Sequence, residues 1–509
     1  MFTPAYNDFV DFNIDIHHEY NKRENNSFTH YQLDHPASET LAPDFRNQYA
    51  HTRSHTNYLG ITPQVSLSMD KNHKHRISAS YSFNYNYRDT NQPLYLLNKL
   101  DEWGNEGNNG KIHPLGTLPS MEEMLLTLDA NNSSDSKNTT YTHTPRINYT
   151  FNFGNSQNNI DNHIAIGLYM PMAHENLDYH RGNQVDTVMN RNTAFLNTNI
   201  MFSHSTNMTG RSISAGYNLS QSAPTMTSML NIRDDRNPLY IKLGNPNLKN
   251  TKTHRFHIYY NDKIGEASFN ANAESSITEN AVASGYIYNK ETGVRIVTPT
   301  NVNGNWEISS SVNRFSPLDA NRKWNIKEEI SYRYAQYVDM SGNGKNMTAI
   351  RSVATWNTIR NNMSLNWCPT DKMEYEILGD FSYQHSNSSH SYSSKTDAFT
   401  FQYGAKAKLE LPWNLQISTY LSMCCRRGYN EASMNTDHLI WNARVSKRLP
   451  NLNLTIIFDG FDLLGNCSQA RRTFNTQTLG YTETFYDFMP SYGVIRVIYR
   501  LNKQPKKKE

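Results

Sequence analysis

The chain has 509 residues, a formal net charge of +3 and a mean hydropathy of −0.73. No stretch approaches 18 apolar residues, which excludes a transmembrane helix but not a barrel, whose strands need only about 9–11 residues, half of them facing a polar lumen. The balance of 49 basic against 46 acidic residues argues against a nucleic-acid partner.

Met1-Phe2-Thr3-Pro4-Ala5-Tyr6-Asn7-Asp8 has no basic region, apolar run or cleavage site, so no secretion signal is visible and the true start is expected to lie upstream. The first expected strand is Asp8 to Tyr20, with Phe12, Ile14 and Ile16 on one face; polar residues 22–46 read as a long loop. A strand ending in Val65, Leu67 and Met69 meets a tight Asp70-Lys71-Asn72 turn. From Ile77 to Tyr87 the odd positions are Ile, Ala, Tyr, Phe, Tyr, Tyr, and the even positions from Ser78 to Arg88 are polar, a strict period of two. The longest loop, 89–139, holds an apolar patch, Met121 to Leu128, expected to form a short helix.

Strands then follow at Ile147–Phe153, Ile164–Met170, 190–206 and 211–221, the last two joined at Met208-Thr209-Gly210. A second long loop, 222–250, precedes Phe256, Ile258 and Tyr260, expected to pair across Asp262-Lys263 with Ala267 to Ala273. Trp306, Ile308 and Val312 turn at Pro317-Leu318-Asp319 into Ile326, Ile330, Tyr332 and Tyr334. Glu328 lies in line with that apolar face and is assigned to a rim, where a carboxylate costs little. Further hairpins turn at Pro369-Thr370-Asp371, at Pro412 and at Pro450-Asn451, and the final strand carries Ile495, Val497, Tyr499 and Leu501 with Arg496 and Arg500 opposite.

This gives 18 strands whose links alternate between tight turns and long polar loops. An antiparallel transmembrane β-barrel has this layout, with short turns on the periplasmic side and long loops outside. A soluble β-rich adhesin also alternates, but these segments run to about 12–20 residues against a mode of about 5–6 in globular sheets. The barrel domain is assigned to 1–502, partial at its N-terminus, and the basic tail to 503–509.

No GxSxG, Walker loop, HExxH or dinucleotide fingerprint is present, so an enzyme is not expected and no catalytic or cofactor residue is assigned. His17-His18 and His73-Lys74-His75 are the densest histidine groups; His73 and His75 share a strand face but lack a third ligand, and read as a solvated turn rather than a metal site. Arg233-Asp234-Asp235-Arg236 reads as a loop ion cluster. Cys368, Cys424, Cys425 and Cys467 show no CxxC spacing.

Several motifs resemble one family. Gly244-Asn245-Pro246-Asn247-Leu248-Lys249 is similar to the GNPxLKPE signature of TonB-dependent receptors, with Asn250-Thr251 in place of Pro-Glu. Asn301 to Trp306, Leu411-Pro412-Trp413-Asn414-Leu415, Arg426-Arg427-Gly428-Tyr429 and Phe458 to Gly465 resemble later barrel strands and hairpins of the same proteins. Together they resemble the Bacteroidota outer-membrane β-barrel family of TonB-dependent receptor-like proteins over residues 140–502. The resemblance implies the last 18 strands of a barrel of about 22, a plug and TonB box lying upstream, and no cofactor. Expected partners are the outer-membrane bilayer of a Gram-negative cell, the barrel-assembly machinery and, with a plug, the TonB system. The loops at 89–139 and 222–250 are the expected ligand-contact surface; the ligand and its residues are left open. A passive porin-like channel and a surface binding protein are the competing functions.

Overall fold

The computed structural model describes residues 5–6, 10–33, 44–103, 113–114, 116–154, 160–206, 210–289, 291–343, 350–389, 395–429, 432–466, 473–475, 482–484 and 491–500. One 26-stranded sheet dominates. Eighteen of its strands form an unbroken antiparallel series, each paired with the next along the chain. They are β1 Val10–Leu33, β2 Asp44–Ser68, β3 His75–Gln92, β4 Ser134–Asn152, β5 Ile160–Tyr169 and β6 Asn197–Thr206. Next come β7 Arg211–Ser222, β8 Thr251–Ile264, β9 Ala267–Glu279, β10 Asn305–Pro317, β11 Trp324–Asn343 and β12 Ile350–Thr370. The series ends with β13 Met373–Ser388, β14 Thr396–Leu411, β15 Leu415–Arg427, β16 Asp437–Leu449, β17 Leu454–Phe461 and β18 Tyr492–Tyr499.

Tight links alternate with longer ones as far as β10, but the expected long links β11–β12 and β13–β14 come down to six and seven residues, no longer than the tight β4–β5 link, because the staves themselves run on into the loop region. At the first tight turn the Asp70 carboxylate accepts the backbone N–H groups of Asn72, Lys74 and His75 at 2.9, 3.1 and 2.7 Å, which closes the reversal within the six residues 69–74. The β8–β9 turn falls at Gly265-Glu266, not Asp262-Lys263, because Ile264 pairs with Ala267 and Gly265 takes the left-handed φ of +62° that a two-residue reversal needs. The turn expected at Pro450-Asn451 is a 3₁₀ turn, Pro450–Leu452, and β17 starts beyond it at Leu454.

Two loops expected from polarity are mostly strand. β1 runs on to Leu33 and β2 starts at Asp44, so only ten residues of the 22–46 segment separate them. Beyond the bilayer both faces of a strand meet water, so the apolar period disappears while the ladder continues. Twenty-four residues at about 3.3 Å each reach about 80 Å, far more than a membrane needs. Likewise the 89–139 loop shrinks to 93–133. Within it α1, Met121–Leu126, forms as expected; Ser120 caps it, and Glu123 returns a bond to the Ser120 N–H.

Outward apolar residues and inward polar ones alternate along each stave. On β11, Trp324 stacks on Trp367 of β12, which stacks on Tyr375 of β13, a girdle at the tight-turn rim. Ten residues up β11, Tyr334 packs 4.7 Å from Trp306 of β10. That separation is about 33 Å along the strand, or about 25 Å of height at a tilt near 40°, the thickness of a barrel's apolar band. Glu328 lies four residues above Trp324 on the outer face, about 10 Å into that band, opposite Arg314 in register and 3.4 Å from the Asn361 amide.

The inner face carries cross-strand ion pairs: Arg255–Glu274, Arg333–Glu307, Arg360–Asp380, Lys406–Glu376, and Asp459 between Arg444 and Arg496. Among the described residues no pairing joins β1 to β18. Only Ala5–Tyr6 pairs on the free edge of β1, against Val10 and Asp11. Ile16 on β1 and Ile495 on β18 are accordingly 64% and 70% exposed, against 39% for Val445 in mid-wall.

Candidate functional site: the outer vestibule

Above the band the staves carry a roof built from the long links. β5 continues past Pro171 as Met172–Arg181, which pairs with the upper half of β4. The chain turns back as Val185–Ala194 before β6, so the expected strand at 190–206 is two segments broken at residues 195–196. Leu177 and Tyr179 of this hairpin bury Met226 and Leu230 from the β7–β8 link. Tyr49 at the top of β2 buries Tyr95, Leu97, Trp103 and Met124 from the β3–β4 link. A third small core, Ala281, Val302 and Val338, seats the hairpin 281–302 on β11. Three apolar clusters thus pin four of the links, one cluster being shared by the β5–β6 and β7–β8 links, and fix loops that polarity alone would leave solvated.

The two links expected to form the contact surface meet. Asn132, from the first, donates to Asp235 of the second at 2.7 Å and to Asp129 at 2.8 Å. Arg181 of the hairpin, 4% exposed, donates to the Asn131 carbonyl and the Asn132 side chain at 2.8 Å each and lies 3.4 Å from Asp234. Asp234 also holds Arg236 at 2.6 Å. Arg46 and Gln48 of β2 donate to the carbonyls of Asp235 and Arg236 at 2.9 and 2.8 Å. The Arg233-to-Arg236 cluster is therefore an ion cluster, as its sequence indicates, but its work is to lock three links and a stave together. Gln184 joins the same network, accepting the Arg233 N–H at 2.9 Å and donating to the Asn131 carbonyl at 2.9 Å; Arg181, Arg46 and Gln184 belong to segments far from the cluster in the chain, and nothing local to the cluster announces them.

Burial raises the proton affinity of Asp234, but the hydrogen bond from Arg236 and the charges of Arg236 and Arg181 outweigh it, and its carboxyl is held below the ordinary value of 3.8. A depressed carboxyl stabilises the fold above its unfolded pKa and ceases to do so as pH falls through the folded one. Protection of the amides of residues 230–243 against exchange, relative to the unfolded chain at the same pH, is therefore expected to hold from neutral pH down to about 4 and to fall below it. Loss of protection between pH 7 and 5 would contradict the lock.

Two sequence motifs also prove to be one clamp. The Asn245 amide donates to the Pro299 carbonyl at 2.8 Å. Asn301 accepts the Lys249 N–H at 2.7 Å and returns a bond to the Lys249 carbonyl at 3.1 Å. Gly244 has no room for a side chain, since a Cβ there would lie 1.6 Å from the Leu230 carbonyl oxygen. Gly244→Ala is expected to destabilise the roof by roughly 1–3 kcal/mol, seen as protease cleavage within 225–250 while the wall stays resistant.

Asp44, Arg46, Asn98, Asn131, Gln184 and Arg233 border a cavity of about 690 Å³ within this roof. Two of its charge pairs are internal, Arg46 with Asp44 at 3.1 Å and Arg233 with Asp235 at 3.4 Å, while a third carboxylate of the lining, Asp129, accepts from the Asn132 amide at 2.8 Å. A polar hollow rich in charged groups on the lumen side of β2 suits capture of a polar ligand.

The other singled-out residues serve local structure. His18 bonds Asn57 at 3.0 Å, and His17 packs against Tyr58. His73 bonds Ser68 at 2.9 Å in the turn, whereas His75 bonds Tyr149 at 2.8 Å and stacks on Phe151. The structure does not bring His73 and His75 together, and no group of three metal-ligating side chains occurs among the described residues. Cys368, Cys424 and Cys425 form no disulfide with one another; Cys467 and the basic tail lie outside the described residues.

Residues 175–366 match the model of a family described as an outer membrane protein beta-barrel family. No curated protein matches. Solved structures with a loose likeness include the siderophore receptor PirA from Pseudomonas aeruginosa, at 9% identity and TM-score 0.38, covering 94% of this chain and 80% of that one. Another is BauA, the ferric preacinetobactin receptor from Acinetobacter baumannii, at 8% identity and TM-score 0.42, covering 94% and 72%. With the family match, the apolar band and the girdles, the chain is an outer-membrane β-barrel protein of a Gram-negative cell.

Proposed function

We propose that this chain is the barrel portion of an outer-membrane receptor and transporter that captures a polar ligand in the vestibule and passes it down a charged lumen. The observation that carries the reading is the interlocked roof with its polar cavity, built from the links expected to meet ligand. A passive porin has no need to tie loops from four separate segments over its mouth. In the reading that the motif resemblance adds, the receptor is of the Bacteroidota type. A plug and TonB box accompany the barrel, and the TonB system supplies the energy. Residues 1–502 are then barrel and 503–509 a solvated tail.

Two measurements test this. In planar bilayers the native protein is expected to show no steady conductance without ligand; a permanently open channel would favour the passive pore. In outer-membrane fractions, an antibody to the C-terminal segment is expected to detect a band well above the 58.7 kDa of this chain. A band at that mass would remove the gate and the coupling from the proposal.

A further inference from the structure

The outer wall carries a hollow on its lipid side. Its floor is Ala215 on β7, whose registered neighbours are Phe202 on β6 and Ile258 on β8. One row up, Tyr217 lies between Ile200 and Phe256. A single methyl group between larger side chains leaves a cavity of about 460 Å³ with an almost wholly apolar lining.

Below the hollow, on the same face of β7, lies Arg211. It is the first residue after the tight turn and four residues from Ala215, about 13 Å along the strand. This places its guanidinium at the periplasmic rim of the apolar band. Asp262 on β8 accepts from Arg211 at 3.0 Å, and also from the Tyr260 hydroxyl at 2.7 Å and the Lys263 N–H at 2.8 Å. The Asp262 side chain is 2% exposed and that of Arg211 54%. The acid is thus enclosed and fixes the direction of a cation that stays open to the interface. Between the two, Ile213 is part of the same exposed face.

We propose that this face is a binding site for one phospholipid of the inner leaflet. The phosphate sits on Arg211, and one acyl chain runs past Ile213 into the hollow over Ala215. Guanidinium groups bind phosphate with directed, charge-assisted hydrogen bonds, and burial of the chain supplies apolar contact. An arginine that merely reaches for the interface, above a wall wetted equally by all lipids, is the competing account.

Outer-membrane vesicles containing the native protein, loaded with phosphatidylethanolamine bearing a diazirine midway along one acyl chain, separate the two. After irradiation, peptides containing residues 200–202, 215–217 and 256–258 are expected to carry at least about fivefold more label than peptides containing 441–445 on the wall of β16, a preference of about 1 kcal/mol. Ala215→Phe is expected to bring that label down to the level of β16, and Arg211→Gln to lower it about two- to fivefold; Ala443→Phe leaves it unchanged. Label spread evenly around the wall, or undiminished in Ala215→Phe, overturns the proposal. Should Ala215→Phe fail to assemble, the ratio in the unaltered protein decides alone.

Discussion

Val445→Arg is expected to lower the stability of the barrel in a bilayer by about 2–4 kcal/mol. Val445 projects outward from β16 between Ile417 of β15 and Phe458 of β17 in register, and is 39% exposed. It lies four residues from the tight-turn end of its stave, about 10 Å above the rim, which is close to the middle of a band about 25 Å thick. An arginine there must carry its charge into hydrocarbon or bend toward an interface. Denaturant titration of the barrel in lipid vesicles measures the loss. A change below about 0.5 kcal/mol would mean that this face does not meet lipid.

The inward neighbour gives the contrasting result, and the larger one when taken in combination. Asp459 is 3% exposed and is held by Arg444 at 2.5 Å and Arg496 at 2.6 Å, from the staves on either side. Arg444→Ala alone is expected to change stability little, because Arg496 still neutralises the carboxylate. Removing both arginines leaves a buried, unpaired charge, and such losses run to about 3–5 kcal/mol. Restoring stability in the triple variant with Asp459→Asn would show that the enclosed charge, not lost packing, is responsible. Additive single effects would show instead that the two arginines act independently of Asp459.

The membrane-spanning part of the wall was legible because the bilayer imposes a period of two wherever it touches. Ile77 to Tyr87, Ile417 and Val445 all display it, and the Asp70 turn and the short helix after Met121 are written in a few consecutive residues. Where a stave leaves the membrane that constraint ends, and β1 from Lys22 to Leu33 looks like a loop while remaining paired with β2. The hairpin 172–194 was missed for the same reason. At the vestibule, the Asp234 cluster announced an ion network, but its buried partner Arg181 stands 53 residues earlier in the chain and owes its place to the packing of Leu177 and Tyr179. The clamp of Asn245 and Asn301 was visible only as two unrelated motifs, since nothing local in either states that the other lies across from it.

The free edges of β1 and β18 carry a parity. β1 leaves the tight-turn side and β18 arrives there, so the two edges point in opposite directions. Any antiparallel wall that joins them, directly or through added staves, admits only an even number of insertions, and each addition brings one tight turn and one long loop as an inseparable set. The pairing of Ala5–Tyr6 on the lower edge of β1 has the direction that a first added stave would take. Barrels built on this plan change girth by whole hairpins, and both ends of the wall stay on the periplasmic side whatever the final circumference.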